Sequence, residues 1–175
     1  MQICFLIIAI LGIFYFILNV FQAKNKINSN FLNENLNQLF YLIFGLIAFC
    51  EIFYVFIFLA NDFSYSAVYQ NSSINQPIIY KIVATYSGQG GSFLFWNFAQ
   101  ILIGFLLIKS KYLNKNEKEF KYNFNIIKSI FIIFPTILSL ILYFNNPFEL
   151  TLNKFPELIE IPTDEIGRAS CRERV

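Results

Sequence analysis

The sequence predicts an all-α, polytopic integral membrane protein that crosses the bilayer with about four transmembrane helices. Apolar residues make up 57% of the chain and charged residues only 14%, whereas a soluble domain carries about a quarter charged residues. Four apolar runs each come close to the roughly 20 residues that a helix needs to cross the hydrocarbon layer. They are too long for strands, and backbone in lipid must satisfy its hydrogen bonds internally, so helices are expected.

The four runs predict the boundaries of the spans. We expect helices at about residues 4–21, 39–60, 91–108 and 126–144. Glu51 interrupts the second run, and Pro135 is expected to kink the helix of the fourth. The third run is the shortest and borrows Gly91 and Ser92 at its start.

Lysines predict the orientation. Two lysines lie within residues 22–38 and five within residues 109–125, whereas the loop 61–90 has Lys81 and Asp62 as its charged residues. Because loops rich in lysine and arginine stay on the cytoplasmic side, the two lysine-rich segments are expected there. The N-terminus, the loop 61–90 and the chain after residue 144 are then expected outside.

Composition excludes several classes of function. The chain has no histidine, which removes the commonest general base, metal ligand and axial ligand of haem. A net charge of +2 without a basic run argues against nucleic acid as a partner. Cys4 and Cys50 lie in apolar runs and Cys171 near the end, and none forms C-x-x-C. The first two are expected to be small buried side chains, so neither a metal site nor a catalytic residue is predicted.

The last residues differ in composition from the rest. Residues 1–167 contain no arginine, and "GRASCRERV" then contains three. The string "EIGRASCRERV", residues 165–175, matches one reading frame of a common sequencing adapter, so we expect it to be non-native and without a structural role. Residues 151–164 would then begin an outside loop that is truncated. A short basic tail is the alternative interpretation.

The glycine-rich stretch "YSGQGGSFLFW" invites comparison with a phosphate-binding loop. That loop needs G-x-x-x-x-G-K-[ST], but here Ser92 follows Gly91 without a lysine, so nucleotide is not expected as a partner. The alternative is an entry turn into the third span. Its glycines would adopt positive φ, and Ser92 would cap the helix.

Three blocks together resemble one known family. They are "NDFSYSAVYQNSS" (61–73), "YKIVATYSGQGGSFLFW" (80–96) and "NNPFEL" (145–150). Their order and spacing resemble the start of the cytochrome c maturation protein F (CcmF) family, also called the cytochrome c haem lyase subunit, over about residues 39–150. The residues that match its motifs are Asp62, Phe63, Ser64, Tyr80, Lys81, Gly88, Gln89, Gly91, Ser92 and Trp96. The chain departs from the family at Tyr86, usually tryptophan, and at Gly90, usually glutamate.

The resemblance implies a role in cytochrome c-type biogenesis. Members of the family are multi-pass proteins of the bacterial inner membrane, and a mitochondrial inner membrane is the less favoured alternative. They are thought to take haem from a haem chaperone and to help attach it to apocytochrome c, so these maturation proteins and membrane lipid are the implied partners. The haem-handling segment and its histidines lie beyond residue 150 in the family. Haem b is therefore expected in a full-length parent but no cofactor in this chain, and whether the chain is part of an enzyme stays open.

The sequence leaves two other functions open. Glu51 within a span, with Asn97 and Gln100 as hydrogen-bonding neighbours, would suit a subunit of an ion-translocating or respiratory complex. A neutral glutamic acid packed inside the bundle is the favoured interpretation of Glu51, because a charged carboxylate in lipid is costly. The remaining possibility is a small membrane protein with a structural role.

The loop before the third span is expected to form an ordered outer cap, with Pro77 stiffening it. Its apolar side chains are predicted to pack onto the helix ends: Phe63, Tyr65, Val68, Tyr69, Ile78, Ile79 and Tyr80. Tyr54, Trp96 and Tyr143 are expected to be interface or packing aromatics.

Overall fold

The computed structural model describes residues 1–25, 30–109 and 118–156. Within these ranges the chain forms seven helices and one isolated β-bridge, and it contains no strand. The helices are α1 (Gln2–Asn25), α2 (Asn30–Leu59), α3 (Ser66–Asn71), α4 (Ile78–Ala84), α5 (Gln89–Lys109), α6 (Lys118–Phe144) and α7 (Thr151–Lys154). The predicted all-α class is confirmed.

Four of the described helices are long and apolar enough to cross a membrane. The qualifying stretches are Gln2–Gln22, Glu34–Leu59, Gln89–Lys109 and Ile127–Phe144. The first and third predicted spans lie inside these stretches, and the second and fourth each extend one residue beyond them, at residues 60 and 126. The prediction of four transmembrane helices is therefore confirmed. Pro135 lies inside α6, which continues past it to Phe144.

The four long helices form a bundle in which each contacts two neighbours. The most extensive contact joins α1 to α6, α6 also packs against α5, and α2 packs against both α5 and α1. Two glycines allow neighbouring helices of the bundle to pack closely. A Cβ on Gly12 would overlap Thr136 of α6, and a Cβ on Gly104 would lie 3.0 Å from Phe131 Cβ. Small residues at helix contacts are typical of membrane bundles, where van der Waals packing drives association.

The three short helices lie together at one end of the bundle, here called the outer end. There the side-chain amide of Gln2 donates to the carbonyl of Tyr143 (2.9 Å), which joins the start of α1 to the end of α6. An antiparallel β-bridge pairs Tyr65 with Leu150. The segment between α2 and α5 is therefore tied to the segment that follows α6.

In the outer cap, the apolar side chains of residues 63–69 are buried or partly buried, whereas most of those of α4 are exposed. Val68 is fully buried, and Phe63, Tyr65 and Tyr69 are partly buried, as predicted. The prediction is wrong for the apolar residues of α4, because Ile78, Ile79 and Tyr80 are exposed. The rotation of this helix about its axis turns Lys81 and Ala84 inward in their place.

Several predictions fall outside the described residues. These are the proposed adapter-derived end at residues 165–175, the loop 157–164, and parts of both lysine-rich segments, at residues 26–29 and 110–117. They stay predictions.

Candidate functional site

The site begins where α2 ends. Asn61 adopts a positive φ of 55°, the Asp62 N–H donates to Ile57 O (3.0 Å), and the Asn61 N–H donates to Phe58 O (3.2 Å). This pair of bonds is a Schellman motif, which tolerates asparagine at its left-handed position. Asp62 Oδ1 then accepts hydrogen bonds from the backbone N–H and the hydroxyl of Ser64. Asp62 therefore acts here by shaping the turn that leaves α2.

Backbone hydrogen bonds join this turn to the segment after α6. The N–H of Ser66 donates to Glu149 O (2.9 Å), and the N–H of Thr151 donates to Ser64 O (2.8 Å). The hydroxyl of Thr151 donates to Phe63 O (2.7 Å). Phe63 and Ser64 thus contribute backbone carbonyls, so the first and third sequence blocks form one wall.

Phe148, from the third block, fills the space beneath that wall. It is 5% exposed, and its ring lies 5.5–6.4 Å between centroids from those of Phe5, Phe53, Tyr54 and Tyr65. The side chain of Asn146 accepts from the Phe148 N–H (3.1 Å) and fixes the preceding turn. This aromatic cluster joins α1, α2, the outer loop and the segment after α6.

The glycine-rich block starts α5, and two details of its predicted role are wrong. No glycine in the described part of the chain has a positive φ, because α5 begins at Gln89 and Gly90 and Gly91 already lie in its first turn. Ser92 is not the cap, since its hydroxyl donates backwards to Tyr86 O (2.7 Å).

Gly90 and Gly91 allow the start of α5 to pack closely against neighbouring segments. A Cβ on Gly91 would overlap the carbonyl oxygen of Thr85 and lie 3.0 Å from the hydroxyl of Tyr54, and a Cβ on Gly90 would lie 3.1 Å from Pro147 Cβ. The second block therefore packs directly against α2 and against the third block.

A cavity of about 560 Å³ opens where the three blocks meet. Gly88, Gln89 and Gly90 line it from one side and Asn145–Leu150 from the other, with Tyr54 between them. Its charged lining side chains, among the described residues, are Glu149 and Lys154. Much of the wall consists of side-chain amides, contributed by Gln2, Gln70, Asn71, Gln89, Asn145, Asn146 and Asn153.

The remaining motif residues lie away from the cavity. Lys81 is buried, and its ammonium donates to Asn61 Oδ1 (2.6 Å), which ties α4 to the end of α2. Tyr80 is 61% exposed on α4, and Trp96 is 57% exposed on α5. Neither lines the cavity. Residues of all three sequence blocks thus line the cavity, but not every motif residue faces it.

The polar residues predicted inside the membrane lie in different environments. Glu51 is buried in α2, and its Oε2 has no hydrogen-bond partner among the described residues. Asn97 is also buried, and its amide donates to Ser139 Oγ of α6 (2.9 Å). Gln100 is half-buried on α5. The hydrogen bond described for Asn97 thus joins α5 to α6 and does not reach Glu51.

A second group of buried polar residues lies at the opposite end of the bundle, and the sequence reasoning missed its members on α1. Tyr15, Asn19 and Gln22 are buried on α1, and the Lys128 ammonium donates to Asn37 Oδ1 (2.9 Å). The sequence did contain a signal for the residues on α1. Tyr15, Asn19 and Gln22 are spaced by four and three residues, and this spacing places polar side chains on one face of a helix.

We expect the Asn97–Ser139 pair to contribute modestly to the α5–α6 contact. Hydrogen bonds between helices in membranes couple by about 0.6 kcal/mol on average, because unpaired helices also find polar partners. A double-mutant cycle with Asn97→Ala and Ser139→Ala, followed by unfolding in detergent micelles, measures this coupling. Additive effects of the two substitutions would show that the bond contributes nothing.

The side chains around the cavity include neither histidine nor cysteine as a ligand for a haem iron. The chain has no histidine, and no cysteine lines the cavity. Met1 is the sulfur-containing residue in its wall, and the described residues hold no cluster of metal-ligating side chains. Amides and backbone groups suit hydrogen bonding to a polar partner, so we assign no iron ligand to this site.

Comparison with known proteins gives one partial similarity. A stretch of 53 residues is 38% identical to the cytochrome c-type biogenesis protein ccl1 of Rhodobacter capsulatus, and it covers 30% of this chain and 8% of that protein. No protein-family model matches the chain, and no solved structure is significantly similar to it. The chain is thus similar, over a segment, to a protein of cytochrome c-type biogenesis, and it matches only a small part of that protein's length.

Proposed function

We propose that this chain is part of a membrane protein of cytochrome c-type biogenesis, and that its outer end is where partners bind. The observation that carries the proposal is the convergence of the three sequence blocks on one cavity. Residues 61–73, 80–96 and 145–150 are separated along the chain, yet the Tyr65–Leu150 bridge and the packing of Gly90 against Pro147 bring them together. The similarity to the Rhodobacter protein supports the same pathway.

The chemistry of the cavity favours a polypeptide as the occupant. A side-chain amide offers both a donor and an acceptor, which matches the alternating groups of a peptide backbone. The wall combines such amides with the backbone of Asn145–Leu150 and carries Glu149 and Lys154 as its charges. Within the proposed pathway this occupant is a segment of apocytochrome c or of a haem chaperone. Haem b belongs to the parts of a longer parent that carry histidine.

The proposed function also sets the orientation. The outer end should face away from the cytoplasm, with the protein in a bacterial inner membrane, because haem is attached to c-type cytochromes on that side in the family that the sequence resembles. The lysine distribution supports this arrangement.

Reporter fusions test the orientation. A fusion of alkaline phosphatase after Ser72, at the outer end, is expected to be active, because that enzyme folds only outside the cytoplasm. The same fusion after Lys118 is expected to be inactive, and green fluorescent protein should give the opposite pattern. Phosphatase activity at Lys118 together with inactivity at Ser72 would reverse the topology.

The test of the function is the state of the c-type cytochromes in the source cell. Disrupting the reading frame should remove covalently bound haem from these proteins, seen by peroxidase staining after denaturing electrophoresis, while total membrane haem b persists. Re-expression of the intact frame should restore the staining. Wild-type staining in the disrupted strain would reject the proposal, and a loss of membrane potential without a cytochrome defect would favour an ion-translocating subunit.

A further inference from the structure

The short helix α4 has its polarity reversed relative to a helix that faces water. Its charged residue, Lys81, is 6% exposed, whereas Ile79 is 73% exposed. Ile78, Tyr80, Ile82 and Val83 are exposed as well. A helix on a water-facing surface turns its apolar residues inward and its charges outward, so the outward face of α4 is suited to a non-aqueous environment.

Charges are kept away from this face. The ammonium of Lys81 donates to Asn61 Oδ1 at the end of α2, although a lysine near water normally extends its head group into it. Asp62, the other charged residue of the loop 61–90, has its carboxylate in hydrogen bonds with Ser64. The outward face of α4 therefore presents isoleucine, valine and tyrosine without a charged group among them.

Exposed aromatic residues lie between the end of α4 and the outward surface of α5. The Tyr86 ring lies 4.8 Å from that of Phe95, and Phe95 lies 5.9 Å from Trp96. Further along α5, Ile103 and Leu106 are exposed. Because α5 is long and apolar enough to cross the membrane, this surface faces lipid. Tryptophan and tyrosine near a helix end are typical of the membrane–water interface.

We infer that α4 is an interfacial anchor whose outward face inserts into the lipid leaflet at the outer end of the bundle. Lipid is the occupant because the outward face of α4 carries no charged side chain, and because exposed aromatic residues lead from the end of α4 onto the lipid-facing surface of α5. The anchor acts on the site, since Lys81 ties α4 to α2 and the packing of Gly91 against Thr85 ties its end to α5. Insertion of α4 thus sets the height of the cavity above the bilayer.

Tryptophan fluorescence in nanodiscs can test this inference on the whole chain. Trp96 is the single tryptophan, so a Trp96→Phe background accepts one reporter at a time. The reporter on α4 is Ile79→Trp, whose exposed position leaves the core intact. Asn75→Trp, exposed in the preceding turn, is the aqueous control, and Ile103→Trp within α5 is the deep control.

We expect brominated phospholipids to quench Ile79→Trp several-fold more than Asn75→Trp. The best quenching should come from bromines about 5–10 Å below the headgroups, the depth of an interfacial helix, and shallower than for Ile103→Trp. Acrylamide should show the reverse order. Equal acrylamide quenching of Ile79→Trp and Asn75→Trp would place α4 in water and overturn the inference. Shielding of Ile79→Trp from both quenchers would show that protein covers the face, and that result would overturn it too.

Discussion

Gly91→Ala is expected to destabilise the outer end more than any other single addition of a methyl group in the glycine-rich block. The new Cβ would overlap the Thr85 carbonyl oxygen and lie 3.0 Å from Cε1 and the hydroxyl of Tyr54. A backbone carbonyl cannot rotate away, so the start of α5 must move away from the end of α4. Overpacking of this kind costs about 1–3 kcal/mol and sometimes more, and we expect the upper part of that range.

The matched control for this substitution is Gly45→Ala in α2. A Cβ at Gly45 meets nothing within 4 Å, and alanine is favoured over glycine in a helix by about 1 kcal/mol. Thermal unfolding in detergent micelles should therefore show a lower midpoint for Gly91→Ala and an unchanged or higher one for Gly45→Ala. Equal midpoints for the two variants would mean that Gly91 is not held against Thr85.

The function of the glycine-rich block can be tested in a full-length parent protein that supports cytochrome c maturation, by comparing a substitution at Gly91 with one at Gln89. Gly91→Val should lower haem-stained c-type cytochrome more than Gln89→Ala, because Gln89 is exposed and its loss leaves the start of α5 in place. Staining is normalised to the amount of membrane-inserted protein. Wild-type staining with both variants would show that the glycine-rich block only connects α4 to α5 and has no further role in maturation.

Phe148→Ala is expected to have the other large effect, because it removes the ring that four other aromatic residues surround. Truncating a buried phenylalanine to alanine costs about 3–5 kcal/mol, which combines lost transfer free energy with the cavity left behind. The loss should loosen the contacts that Phe148 makes with α1, α2 and the outer loop. Chemical unfolding in micelles gives the stability, and near-ultraviolet circular dichroism reports the order of the aromatic rings.

Phe144→Ala provides the control within the same segment. Phe144 is 79% exposed at the end of α6, so its truncation should leave both the unfolding curve and the aromatic signal nearly unchanged. Similar losses in the two variants would show that Phe148 does not form a core at the outer end.

The sequence predicted which segments form the candidate site, but not how their residues pack there. The order of the sequence blocks already pointed to the loop 61–90 and to residues 145–150. Gly91 was predicted to supply a positive φ and instead supplies space beside Thr85. Tyr54 was expected to be an interface or packing aromatic, and it also lines the cavity. These roles depend on which helix faces meet, and a linear motif does not contain that information.

By itself, the sequence determined the helical class and the four spans. The physical reason is that the thickness of the bilayer sets the length of each apolar run, and unsolvated backbone must be helical. Only the tertiary structure decided how α4 is turned and where Lys81 points. Both depend on Asn61, twenty positions earlier in the chain, which accepts the lysine's hydrogen bond. A seven-residue helix is too short to show a face by periodicity, so its orientation follows from the contact that it makes with α2.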